Sequence, residues 1–541
     1  MPASLPPGNP APPATAGGAA SLSALAPLAI PSYRILWSIW LTANICMWMN
    51  DVAAAWMMTS LHTSPLWVAL VQTASTLPMF LLGLPSGALA DILDRRRYFI
   101  FTQFWVAAVA LLLCVAVLSG NITPGLLLAL TAANGIGLAM RFPVFAAIIP
   151  ELVPRAQLPT ALALNGVAMN ASRIAGPLIA GALIASAGSA WVFVLNAVLS
   201  LISGFILIRW RRRHVPSPLG RERLLSAMRV GVQFVRQSAR VRATLVRTAI
   251  FYFNSIAVLA LLPLVALRLQ GGAAATFTLL LACMGSGSIV GAMLLPRLRL
   301  RLGRDALVAS GAVVLAAAIA AVALSGEIWT AALSMFVAGV AWLVVANALA
   351  VSVQLALPDW VRARGMSIFQ MAMMGSSALG AALWGQVATM ASVQVSLLCA
   401  GAGTAVGMLA AHWLVQDRGL EEDLTPSKEF KAPQASSAPP VGHLQVTIEY
   451  LIDPARADDF RALMQESRRS RLRQGALGWE LLRDVAEPGR YIERIVDESW
   501  TEHLRRFDRV TKADVDLRER KLAYHIGADA PLVTRCVIEP M

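Results

Sequence analysis

Within the apolar run "NICMWMNDVAAAWMM" (Asn44–Met58) stands a single acid, Asp51. An ionisable side chain at membrane depth is costly to keep, and a carboxyl group so placed is suited to exchanging a proton. A static hydrogen-bonding role is the alternative. Asn44, seven positions earlier, shares its helical face together with Met47 and either Ala54 or Ala55. A second apolar run carries Arg173, with Asn165 and Asn170 nearby on the same helix. That cation either counters Asp51 or holds an anionic group such as a carboxylate or catecholate. Snorkelling to the headgroups is strained, because about fourteen residues, or roughly 20 Å of helix, separate it from the start of its run. Arg141 lies nearer the end of its own run, and there snorkelling is expected. Asn254, Asn347, Gln354, Gln370 and Gln386 are the corresponding polar groups farther along the chain.

The elements that position these residues are long apolar helices. Of the 541 residues 57% are hydrophobic and only 14% charged, and the mean hydropathy is +0.63. This composition excludes an ordinary soluble protein. A helical span needs about 20 consecutive apolar residues, and the stretch from Tyr33 to Trp413 divides into about twelve such runs in six closely coupled pairs. The expected fold is an all-α polytopic membrane protein of twelve transmembrane helices in two six-helix halves, followed by a C-terminal α+β domain. The expected divisions are a Pro/Ala-rich disordered tail (1–30), a first half (31–209), a central loop (210–243), a second half (244–416), a linker (417–440) and a soluble domain (441–541).

The net charge of +14 belongs to the membrane half, where Arg34 to Arg364 holds 25 basic and 8 acidic residues. The arginines fall in alternate loops, at 95–97, 155, 209–247, 297–304 and 362–364. The positive-inside rule then places both termini in the cytoplasm of a cell, in its inner membrane. A nucleic-acid partner is unnecessary to explain the charge, and the lipid bilayer is the partner implied. The first thirty residues carry no Lys or Arg, which argues against a secretory signal. The five cysteines have no metal-ligand spacing, and neither a metal nor another cofactor is expected. In the central loop, Leu224 to Val235 sets apolar residues at helical spacing among arginines. This pattern predicts an amphipathic helix on the anionic inner leaflet, or alternatively a partner-binding or regulatory helix.

Between the second and third runs lies "GALADILDRRR", residues 87–97. Gly87, Leu89, Ala90, Asp91, Asp94, Arg95, Arg96 and Arg97 match the G-x-L-A-D-x-x-G/D-R-R/K-R/K signature of the major facilitator superfamily, which the chain resembles. "GPLIAG", Gly176 to Gly181 with Pro177, is similar to the G-P-x-x-G-G signature of the exporters in that superfamily. More narrowly, "SPLWVALVQTASTLPMFLLGLPSGALAD" and "PELVPRAQLPTALALNGVAMNASRIAGPLIAG" resemble the enterobactin-exporter-like, transmembrane secretion effector branch, and the resemblance runs from about residue 30 to the end. It implies that Asp91 packs at the N-terminus of span eleven, near Asp359, and forms a cytoplasmic latch between the halves with Gly87, Asp94 and Arg95. On the residues alone, Gly83 and Gly87 give a small-residue packing face, and Arg95 lies one turn from Asp91. Arg96 and Arg97 chiefly set topology. A pseudo-repeat, "GAMLLPRLRLRLGRD", aligns Gly291 with Gly87 and puts Leu295 at the place of Asp91, so such a latch is one-sided. Thr131 stands where the superfamily often has an arginine, which weakens transfer of its proton-relay scheme. Pro177 bends its helix, and the glycines beside it permit close contact.

Past residue 440 the pattern changes. "HLQVTIEYLI" alternates, with Leu444, Val446, Ile448 and Tyr450 on one face of a strand. Helices over 455–473 and near "SWTEHLRRFDRV", with strands near 478–485, 491–498 and 532–539, complete a β-α-β-β-α-β order, the ferredoxin-like arrangement. The tail resembles antibiotic-biosynthesis-monooxygenase-like domains, which implies dimerisation through it. Trp500, Leu504 and Phe507 are expected on the apolar side of the second helix, with His503 on its surface. No histidine forms an evident catalytic group with its neighbours, so an accessory role is expected over catalysis.

Together these features predict a secondary active exporter with a small-molecule substrate, siderophore-like or lipophilic and drug-like, exchanged against protons. No P-loop motif for direct ATP drive is present. The alternative is a membrane-tethered sensor or enzyme whose C-terminal domain carries the activity.

Overall fold

The computed structural model describes residues 25–61, 64–154, 157–210, 224–269, 274–414, 423–427, 429, 430, 433 and 442–539. The first half of the bundle comprises α1 (Pro31–Ser60), α2 (Pro65–Ile92), α3 (Arg95–Leu118), α4 (Pro124–Leu152), α5 (Leu158–Ala187) and α6 (Ser189–Arg209). A short α7 (Leu224–Gln237) precedes the second half, made of α8 (Ala239–Arg268), α9 (Ala274–Arg301), α10 (Arg304–Leu324), α11 (Ile328–Leu355), α12 (Asp359–Met390) and α13 (Val393–Leu414). Among the described residues eleven of these helices are long and apolar enough to cross a membrane. The protein is therefore a multi-pass membrane protein. The remaining long helix, α1, has 30 residues. Its apolar character is diluted by Arg34, Asn44, Asn50 and Asp51.

The helices begin and end on local signals. Pro opens α1, α2 and α4 at the first position, where its missing N–H costs nothing. Thr123 caps α4 through its side chain, and Ser238 does the same for α8. The halves meet mainly through two helix pairs, α2 with α12 and α5 with α9, and α2 and α1 also touch α8. Along the first pair, Thr73 donates to the Ala378 carbonyl at 2.9 Å, and the Leu66 N–H donates to Thr389 Oγ1 at 3.0 Å.

The C-terminal domain follows the order β1 (His443–Leu451), α14 (Ala457–Arg473), β2 (Gly478–Arg483), β3 (Arg490–Asp497), α15 (Trp500–Asp508), α16 (Lys512–Leu522), β4 (Leu532–Ile538). Its antiparallel sheet has the order β2-β3-β1-β4. One sheet face is covered by helices, and Tyr450, Phe460, Met464 and Tyr491 form its core. The domain does not stand apart from the bundle. It packs on α7, which in turn packs on α12 and α2. The described part of the linker also joins the domain, where Lys512 and Ala513 donate backbone hydrogen bonds to the Thr425 and Asp423 carbonyls.

Candidate functional site

The polar residues of α1 form one stripe: Trp40, Asn44, Trp48 and Asp51, spaced so that each lies one turn from the next. Asn44 is buried and turned back on its own helix, donating to the Trp40 carbonyl at 2.7 Å. Asp51 accepts a 2.8 Å hydrogen bond from the Ser75 hydroxyl of α2. This bond ties the one acid of α1 to a helix that crosses to the other half. Arg173 of α5 stacks its guanidinium over Trp48, 5.4 Å from the ring centroid. Among the described residues no ion pair joins Arg173 to Asp51, and the cation rests on an aromatic ring one turn from the acid.

The α5 motif works through its glycines. A β-carbon at Gly176 would lie 2.5 Å from Trp48 Cβ and 3.0 Å from the Ile45 carbonyl, so Gly176 lets α5 close on α1. Gly181 faces the second half, and a β-carbon there would overlap the Thr278 side chain of α9. Pro177 lies between them inside an unbroken helix and has no N–H to give the Arg173 carbonyl.

At the other end of α2, the charged cluster divides its work. Asp94 caps α3 by accepting the Arg97 N–H at 2.9 Å. Arg95 pairs with Glu151 of α4 at 2.6 Å, and Arg96 donates to the Ile208 carbonyl at the end of α6. These partners all belong to the first half. Between the halves here, a β-carbon at Gly83 would come 3.2 Å from Met371 of α12. Gly87 and Asp91 belong to α2, but their side chains, like those of Asn170 and Asp359, lie outside the described residues. Leu295, the repeat counterpart of Asp91, is buried.

The other predicted residues scatter. Asn165 has a buried Oδ1 without a hydrogen-bond partner. Asn254 donates to the Ile250 carbonyl and faces Gly403 of α13, so it stands between helices of one half. Asn347 accepts from Arg299, Gln370 is half-buried on α12, and Gln354 and Gln386 are exposed. Sequence reasoning missed two groups. Arg141 does not snorkel: it is 2% exposed, donates to the Ala43 carbonyl at 3.2 Å and lies over Trp40 at 5.6 Å. Asn50, beside Asp51, is fully buried with both side-chain polar atoms unpartnered. The pairing of Asn and Asp in "MND" was the available signal.

The amphipathic α7 lies against protein. Ser226 and Arg229 bind the Glu498 carboxylate, each at 2.7 Å, and Gln233 donates to the Ala476 carbonyl. Phe234 meets Trp360, at the start of α12, edge to face, and Arg509 of the domain covers that same indole at 5.2 Å. Gly475, with φ +107°, makes the approach possible, because a β-carbon there would stand 2.8 Å from Val230. The amphipathic helix is therefore seated on this chain's own C-terminal domain and on the start of α12.

His503 is buried, contrary to the surface expected for it, and shares a 2.7 Å hydrogen bond with Asp497. The buried face of α15 is Glu502, His503 and Arg506, with Trp500, Leu504 and Phe507 only half-buried. Burial works to raise the Asp497 carboxyl, but Arg506 at 2.7 Å and His503 hold it down at about 2. Burial also pushes the His503 ring below its ordinary value. A second carboxylate, Glu493, is enclosed by Lys521, Arg471, Trp479 and Ser467, which outweigh its burial and keep it well below the usual range. Lys521 is pushed down to about 8 by burial, against the pull of Glu493. These charges satisfy one another inside a closed core. Among the described residues no group of acids, histidines and cysteines could hold a metal ion.

A two-half helical bundle joined through α2–α12 and α5–α9, with an acid and stacked cations on the inner helices, has the architecture of a major facilitator superfamily transporter. Solved structures agree on the fold. The nucleoside transporter NupG superposes with a TM-score of 0.59 at 13% identity, covering 71% of this chain and all of its own. A bacterial homolog of the human lysosomal transporter Spinster, inward-facing and occupied, gives 0.58 at 14% identity over 72% of this chain and 97% of its own. The E. coli fucose:proton symporter FucP gives 0.51 at 15% identity over 71% and 98%. The chain belongs to the transmembrane secretion effector family, which it matches over residues 22–540. Comparison with curated proteins gives no match. The protein is thus a membrane transporter, and its relatives point away from an enzyme.

Proposed function

We propose that this transporter is a secondary active exporter, moving a small siderophore-like or lipophilic, drug-like molecule outward by alternating access against inward proton flow. The observation that carries the reading is the Ser75–Asp51 hydrogen bond. It links the acid of α1 to α2, which packs across on α12, so a proton on Asp51 changes the bonding of a helix at the joint between the halves. Proton coupling is also within the repertoire of this fold, as the fucose:proton symporter illustrates. Arg173 over Trp48 supplies a cation with an apolar aromatic neighbour, a pairing suited to a catecholate or carboxylate on a greasy molecule.

In this reading α1 is the twelfth span, both termini are cytoplasmic, and Asp91 latches the halves at that side. The C-terminal domain, with its ferredoxin-like element order, is an accessory module that also offers a dimerisation surface. The test is proton-driven accumulation of a catecholate siderophore and a lipophilic dye in inverted proteoliposomes. Asp51→Asn is expected to abolish accumulation driven by a proton gradient while leaving downhill flux. Undiminished accumulation by that variant would overturn the proton role.

A further inference from the structure

Where α7 ends, α8 begins and α14 passes overhead, a cavity of about 330 Å³ is lined by Arg236, Gln237, Ala239, Arg242 and Arg469. The volume accommodates a phosphate group with ordered water, each water taking roughly 30 Å³. Three separate elements contribute an arginine, and no described carboxylate lines the space. Two other arginines of this seam are matched: Arg229 to Glu498 and Arg509 to Glu502. Among the described residues the guanidinium groups of Arg236, Arg242 and Arg469 have neither an ion pair nor a hydrogen bond. Three exposed like charges thus line one space at the contact between the C-terminal domain and the bundle, and an anion bound there would lower their mutual repulsion. Guanidinium forks bind phosphate oxygens in bidentate pairs, and three arginines around one space suit a polyvalent oxyanion. The cavity adjoins the first residues of α8, a helix apolar enough to cross a membrane, so the phosphate can come from an anionic lipid headgroup or from solution.

We propose that Arg236, Arg242 and Arg469 form a phosphate-binding site whose occupant fastens the C-terminal domain to the membrane half. The full chain is placed in phosphatidylcholine nanodiscs, with or without added inorganic pyrophosphate, and in nanodiscs containing phosphatidylglycerol without added phosphate. Hydrogen exchange is followed in α7 (Leu224–Gln237) and α14 (Ala457–Arg473), the helices that meet in the contact. At an anion concentration about ten times its dissociation constant, both helices should exchange about tenfold more slowly. Slowing with pyrophosphate assigns the site to a free phosphate, and slowing only with phosphatidylglycerol assigns it to a headgroup. Arg242→Gln and Arg469→Gln, at exposed positions that leave the fold intact, should each lose the effect. Three results would overturn the site: no slowing in either arm, equal slowing in both variants, or equal slowing by sodium chloride at matched ionic strength.

Discussion

Gly181 on α5 and Thr278 on α9 touch across the two halves with no room for a β-carbon between them. The contact lies at the end of the bundle remote from the C-terminal domain, and it requires a hydrogen where any other residue carries carbon. Gly181→Ala should therefore pry α5 from α9. Spin-label distances across that end should lengthen, and transport should fall by about tenfold or more, since overpacking of a tight contact costs about 1–3 kcal/mol. An unchanged distance distribution would show that α5 does not set this closure.

Arg173 tests the cation on the α1 stripe. Its guanidinium rests on Trp48, a contact of about 0.5–2 kcal/mol. Arg173→Gln should reduce transport of an anionic catecholate much more than transport of a neutral dye. Equal losses for both would indicate a packing role alone.

Docking of the C-terminal domain depends on Glu498 and Gly475. Glu498→Ala removes the partner of both Ser226 and Arg229 and should weaken docking by about 1 kcal/mol. Gly475→Ala should be worse, because it meets Val230 and must hold a left-handed backbone that costs L residues roughly 1–2 kcal/mol. Both should appear as faster hydrogen exchange in α7, with the larger effect in Gly475→Ala, while the sheet β1–β4 keeps its protection.

The acid limb of stability should trace to Asp497. Its carboxyl is held at about 2 in the folded domain against an ordinary 3.8. The resulting stabilisation, about 2 kcal/mol, is complete above the ordinary value and is lost as pH falls through about 2. His503 adds in the same direction: its depressed basicity favours the folded domain above about pH 6.5 and penalises it below, where the unfolded ring takes a proton. Asp497→Asn leaves Arg506 buried without its anion and should cost about 3–5 kcal/mol at neutral pH. It should also flatten the acid limb, as read by the exchange of β3 amides across pH.

The bundle was legible because long apolar runs have few other readings, and the helix ends fell close to the proline and charge signals in the chain. The partners of single side chains were not. Arg141 near the end of its run reads as a snorkelling residue, and only the arrival of Trp40 and Ala43 from α1, about a hundred positions away, turns it inward. His503 was misread because Trp500, Leu504 and Phe507 make an apolar stripe on paper. In the fold Asp497 and Arg506 draw the polar side of α15 into the interior. For α7 the arginine-flanked amphipathic pattern suits a leaflet or a protein equally well, so its neighbour had to be seen. The stripe of Trp40, Asn44, Trp48 and Asp51 needs only helical periodicity, whereas its closing partners Ser75 and Arg173 come from other helices.

The seat of α7 also sets an order of events during synthesis. Its apolar residue Val230 emerges some 200 residues before β1 of the domain that will cover it. At about 5–20 residues per second, that interval is roughly 10–40 s. The chain must therefore carry α7 through that interval before the final neighbour of Val230 is made.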